Sequence, residues 1–170
     1  MSELIEAAET FKVMVESYRK AHFKAGDHLR LWHYVLGFGL IVVSAVVSGS
    51  VLQSTGADPS RNLTLTAGIL AIVVTVLTSI QTTFKLGERA ELHRSAANGF
   101  GKIRNDLEMF IDRPHLEIEK AWDELETIVS EIASVEAGAP GYMRRTYVDA
   151  NQAVRAELEK RRPDAGRAPP

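Results

Sequence analysis

Two stretches of the chain contain no Asp, Glu, Lys or Arg. They are residues 31–52, LWHYVLGFGLIVVSAVVSGSVL, and residues 62–84, NLTLTAGILAIVVTVLTSIQTTF. A helix rises about 1.5 Å per residue and the hydrocarbon core of a bilayer is about 30 Å thick, so roughly 20 apolar residues span it. Both stretches reach that length. Only QSTGADPSR, residues 53–61, separates them, with Gly56 and Pro59 as helix breakers. The pattern predicts a membrane hairpin: a first transmembrane helix over 31–52, a short extracytoplasmic loop over 53–61 and a second transmembrane helix over 62–84. A soluble fold would have to bury two uncharged helices under about 120 other residues. A cleaved signal peptide is the other reading of the first stretch. The 30 residues before it are long and amphipathic, and no clear A-x-A site follows.

Outside the hairpin the apolar positions recur at helical spacing. Leu4, Ala8, Phe11, Val15, Tyr18, His22, Ala25, Leu29 and Trp32 alternate steps of four and three, a heptad seam that enters the first span without a breaker. Residues 1–30 therefore read as a cytoplasmic amphipathic helix, packed either on its own neighbours or on a second copy. After the second span the helical pattern continues to about Phe110, with His93, Ala96, Phe100, Ile103, Leu107 and Phe110 in line. The break is DRP at 112–114, and Pro114 suits the first turn of a new helix. Ile118, Trp122, Leu125, Val129 and Ile132 form the apolar face predicted for that helix, which EAGAPG at 136–141 ends. A last helix over about 143–160 has Tyr147, Ala150, Val154 and Leu158 as its seam. Residues 85–160 are thus cytoplasmic helices, and 161–170 reads as a disordered tail with no means of packing a core. The fold class is all-α: a two-transmembrane helical hairpin whose long helices extend into a cytoplasmic helical bundle.

Charge sets the orientation. Arg19, Lys20, Lys24 and Arg30 precede the first span; Lys85, Arg89, Arg94, Lys102 and Arg104 follow the second; the loop offers only Arg61. Bases collect on the cytoplasmic side, so both termini are expected in the cytoplasm and the protein in the cytoplasmic (inner) membrane, multi-pass. The net charge of −2 gives no electrostatic basis for nucleic-acid binding. The absence of cysteine excludes disulfides, thiolate nucleophiles and cysteine metal clusters.

No catalytic constellation emerges, and no enzyme, cofactor or metal is expected. His28 and His33 point about 140° apart around a helix, and His22 and His33 lie about 16 Å apart along it. His93 has no second His or Cys one turn away. The acids of 116–131 alternate with an apolar seam and read as a solvated face. The spans are more informative. The second places Thr64, Gly68, Ala71, Thr75, Thr78 and Thr82 in one line, and the first places Gly37, Ser44 and Ser48 on one side. Small residues let helices approach closely in lipid, so the line reads as a packing seam. It also reads as the wall of an aqueous path, and two helices enclose such a path only by self-assembly.

The stretch GERAELHRSAANGFGKIRNDLE, directly after the second span, resembles the SLATT family of two-transmembrane effector domains. The matching positions are His93, Ala96 or Ala97, and Phe100, followed by Arg104. AHFKAGDHLRLWHYVLGFGLIVVSAVVSGS resembles that family's entry into its first span, and EAGAPGYMRRTYVDA its turn into the last segment. The similarity covers roughly residues 10–155. It implies a membrane effector in bacterial anti-phage or conflict defence. Triggered by a nucleotide signal or a sensing partner, such an effector would oligomerise and permeabilise the cytoplasmic membrane. No fused nucleotide-handling domain is expected among these residues, so the trigger is expected from a separate nucleotide-generating or nucleotide-sensing protein, or from a small molecule. The expected partners are the lipid bilayer, further copies of the chain and such a protein. Ser44, Ser48, Thr75, Thr78 and Thr82 are the expected pore-lining or helix-packing residues. His93, Phe100 and Arg104 are the expected structural or coupling residues. The alternative is a non-conducting membrane anchor that recruits a soluble partner through residues 114–160.

Overall fold

The computed structural model describes residues 2–54, 61–113, 117–142 and 144–161. Five α-helices account for nearly all of them: α1 (Ser2–Ser54), α2 (Arg61–Phe84), α3 (Leu86–Asp112), α4 (Ile118–Gly138) and α5 (Arg144–Arg161). No strand occurs among the described residues. Residues 55–60 of the loop predicted over 53–61, the Pro114 break and the tail beyond Arg161 lie outside them, while Gln53, Ser54 and Arg61 are helical. α1 is one uninterrupted helix because the chain's first proline is Pro59. The second apolar run does not pass straight into α3. Lys85 between them takes a left-handed backbone (φ 46°), and α3 restarts with Arg89 N–H donating to the Lys85 carbonyl at 3.0 Å. That conformation is uncommon outside glycine, so no turn residue announces it.

The chain forms two compact units. One comprises the chain up to Gly26 and again from Glu91; the other is Asp27–Ala90. The first is a helical bundle. Its core joins Leu4, Ala8 and Val15 of α1, Ala96, Phe100, Ile103, Leu107 and Phe110 of α3, and Ala121, Leu125 and Ile132 of α4. Phe100 and Leu107 are fully buried, and Ile103 and Phe110 nearly so. Each such side chain contributes about 1.5–3 kcal/mol relative to exposure. The α1 seam is thus satisfied within one chain.

α4 is rotated relative to the apolar face predicted for it. Ala121 enters the core, while Ile118 and Trp122 remain 48% and 46% exposed. At its other end α4 approaches α3 closely, where a Cβ built on Gly99 would meet the Val135 methyls at 3.2 Å. α5 places Ala150 and Val154 inward but adds nothing to the core cluster, and Leu158 is exposed.

The second unit is the hairpin. A Cβ at Gly37 would lie 3.5 Å from Gln81 Nε2, and one at Gly87 3.5 Å from the His33 ring, so these glycines mark where its helices touch. Much of its surface is bare apolar side chain: Leu31, Tyr34, Phe38, Ile41, Leu65, Ile69 and Ile72 are all more than half exposed. None of the most apolar 18-residue window of either long helix is buried. A soluble protein does not expose a contiguous apolar surface of this kind, and a bilayer covers it.

Candidate functional site

The bundle holds a buried polar pair. His22 on α1 and His93 on α3 bring their Nδ1 atoms to 2.9 Å, with the rings 1% and 4% exposed. The hydrogen bond requires opposite tautomers: one Nδ1–H donates and the other Nδ1 accepts. Aromatic rings enclose it. Phe100 stacks on His22 at 5.6 Å between centroids, and Tyr142 meets the same ring edge-on at 4.7 Å. Tyr18 packs against both Phe100 and Tyr147. Burial, and then the neighbouring His93, push the His22 pKa down to about 4. Burial also lowers that of His93. Both rings are therefore neutral at pH 7, and opposite tautomers supply the shared hydrogen bond. The Tyr18 and Tyr142 hydroxyls are pushed up, chiefly by burial and further by charges that include Glu136.

Arg104 ties α3 to α1. It donates to Glu108 at 3.0 Å and lies 3.8 Å from Glu16, which also pairs with Arg19 at 2.7 Å. Lys12 pairs with Glu108 across the same two helices at 3.0 Å. α5 is held against α1 by Lys20–Glu157 at 2.7 Å, Lys24–Asp149 at 3.3 Å and Asn151 donating to the buried Ser17 hydroxyl at 3.1 Å. Of the sequence-singled residues, His93, Phe100 and Arg104 thus all lie at α1–α3 contacts.

His22 is the residue that spacing missed. The signal was present: a histidine on each of two apolar seams implies a buried polar group, and a buried polar group needs a partner. Seventy-one positions separate the two, so no local motif links them. Among the described residues no group of three or more His, Cys, Asp or Glu side chains could hold a metal ion.

On the hairpin, Ser44, Ser48, Thr75, Thr78 and Thr82 are all exposed. Their local chemistry is self-contained. Ser48 donates to the Ser44 carbonyl at 2.9 Å, Thr75 to Ala71 at 2.9 Å, Thr78 to Val74 at 2.8 Å and Thr82 to Thr78 at 2.5 Å. The hydroxyl protons of Ser48, Thr75, Thr78 and Thr82 are thereby satisfied inside their own helices, while each oxygen keeps acceptor capacity.

Two uncharged, unburied helices joined to a packed helical bundle define a membrane protein with two transmembrane helices. The chain belongs to the SMODS and SLOG-associating 2TM effector domain family 4, a SLATT family, whose model matches residues 6–164. Membership makes it a membrane effector of conflict systems. No characterised protein and no solved structure matches the chain significantly.

Proposed function

We propose that the protein is a non-enzymatic effector that self-assembles in the cytoplasmic membrane and permeabilises it when triggered, with both termini in the cytoplasm. One observation carries the reading: a line of exposed hydroxyls, Thr75, Thr78 and Thr82, on helices otherwise coated with apolar side chains. A single hairpin has no interior, so these oxygens face either another copy's helix or water between copies. Their internal hydrogen bonds leave acceptors that water can use without breaking the helix. The bundle would receive the trigger from a separate nucleotide-generating or nucleotide-sensing protein. The contacts of His93, Phe100 and Arg104 would then pass it along α1 and α3.

The test is dye release and ion current from liposomes holding purified full-length protein. Thr75→Leu and Ser48→Leu should reduce leak while the protein still inserts. Undiminished leak from these and from Thr78→Leu and Thr82→Leu would remove the proposed lining. The exposed Ile118 and Trp122 of α4 favour a second reading, a non-conducting anchor that recruits a soluble partner. It predicts no leak, and a partner that leaves the membrane when residues 114–160 are deleted.

A further inference from the structure

The α4 helix carries more apolar surface than the bundle covers. Its buried line is Ala121, Leu125 and Ile132. At about 100° per residue, Ile118, Val129, Trp122 and Ala133 form a second strip beside that line, within an arc of about 60°. Ile118 and Trp122, one turn apart, are 48% and 46% exposed; Val129 is partly buried and Ala133 is exposed. The strip runs about 22 Å along the helix. We propose that it docks a basic amphipathic helix of a soluble protein, with Trp122 as the anchor. The proposal deepens the anchor reading given above and rests on it.

The distribution of charge around α4 selects that occupant. The helix holds six acids and one lysine. On its flank toward α3, Glu124 pairs with Arg113 at 3.2 Å and Glu131 with Lys102 at 3.5 Å. Lys120, the helix's own base, is engaged by Glu117 at 2.7 Å. Glu119, Asp123 and Glu126 are exposed and form no ion pair among the described residues. All three lie on the Trp122 side, within about 100° of it around the helix. Glu136, also without a base, lies toward Tyr18 and Tyr142. The bundle thus neutralises the acids beside α3 and leaves those beside the bare tryptophan to be met from outside. An anionic lipid surface would be repelled by them. Two copies meeting face to face through this strip would oppose like charges. No strand edge is offered among the described residues, so the partner meets side chains rather than backbone. A helix with an apolar face and basic flanks matches both the strip and its rim.

The experiment uses full-length Trp32→Phe protein in neutral detergent, which leaves Trp122 as the only indole. The probe is a synthetic amphipathic helix of leucine and lysine, about 18 residues or five turns long, with protein-free micelles as the blank. It should shift Trp122 emission to the blue saturably, and a leucine–glutamate helix of the same pattern should not. Anisotropy of the labelled probe should show binding weakened about 30-fold or more by Trp122→Ala, as for an interface anchor. The E119Q/D123N/E126Q variant should bind about tenfold more weakly at low salt, a difference that salt should shrink. These side chains are exposed, so circular dichroism should show unchanged helix content. No saturable shift, equal binding of the acidic helix, or undiminished affinity in either variant overturns the proposal. A shift that grows with protein concentration in the absence of probe also overturns it, in favour of a second copy. Liposome leak plays no part in this readout: leak refutes the anchor reading, whereas a silent Trp122 refutes the docking strip alone.

Discussion

Replacing one histidine of the buried pair should cost more than its share, and replacing both should cost less than the sum. His22 and His93 satisfy each other at 2.9 Å and are sealed by Phe100 and Tyr142. His93→Leu keeps volume roughly constant but leaves the Nδ1 of His22 buried and unpaired, at a cost of about 1–3 kcal/mol. His22→Leu orphans His93 in the same way and also removes ring contacts to Phe100 and Tyr142, worth about 0.5–1.5 kcal/mol each. The double variant has no orphan. It loses only the net hydrogen bond, about 0.5–1.5 kcal/mol, and those ring contacts. A double-mutant cycle should therefore return a coupling of about 1.5–4.5 kcal/mol, the double variant being more stable than additivity allows. The assay is denaturant unfolding of full-length protein in detergent, followed through Trp122 fluorescence and helical circular dichroism. Additivity within about 0.3–0.5 kcal/mol would refute the reasoning, because it would mean that the two rings do not depend on each other.

Acid should weaken the bundle through the same pair. Both folded pKa values lie below the ordinary histidine value, so the unfolded chain binds protons more readily, and this stability is complete above about pH 6.5 and is lost as pH falls toward about 4. His22 alone should account for about 2 kcal/mol between pH 7 and pH 5, and the double leucine variant should lack that pH dependence in a thermal melt. Phe100→Ala should destabilise by about 3–5 kcal/mol in the same unfolding assay, since the ring is fully buried between α1 and α3. Lys85→Gly should be neutral or stabilising by up to about 1–2 kcal/mol, whereas Lys85→Val should destabilise, because a branched side chain fits poorly at φ 46°. Ser17→Ala should cost about 0.5–1.5 kcal/mol and raise hydrogen exchange across α5, because Asn151 loses its acceptor.

The helices were legible because their signals are local. Two charge-free runs of membrane-spanning length and the repeating line from His93 to Phe110 needed no knowledge of tertiary contacts, and every member of that line is buried. Three features were not legible, each for a physical reason. The turn at Lys85 carries no glycine, proline or asparagine, so nothing in the residue type marks the left-handed backbone. The rotation of α4 that exchanges Trp122 for Ala121 depends on which face α3 and α1 cover, which the periodicity of one helix does not encode. The histidine pair joins α1 to α3 across distant parts of the chain. Arg104, by contrast, stood in a visible i,i+4 relation to Glu108, while its second acid, Glu16, came only with the fold.

The attachment of α5 sets an order in which the bundle comes apart. It shares no residue with the core of α1, α3 and α4, and what holds it down is Ala150, Val154, the Tyr147–Tyr18 ring contact, the Asn151–Ser17 hydrogen bond and two ion pairs. Exposed ion pairs of this kind add little and fade with salt. The bundle therefore has a firm three-helix centre and one peripheral helix whose opening free energy falls well below that of global unfolding. Its amides should exchange first, and a protease should nick there before the rest yields. A partner protein could thus peel α5 away and leave the histidine pair's two helices still packed.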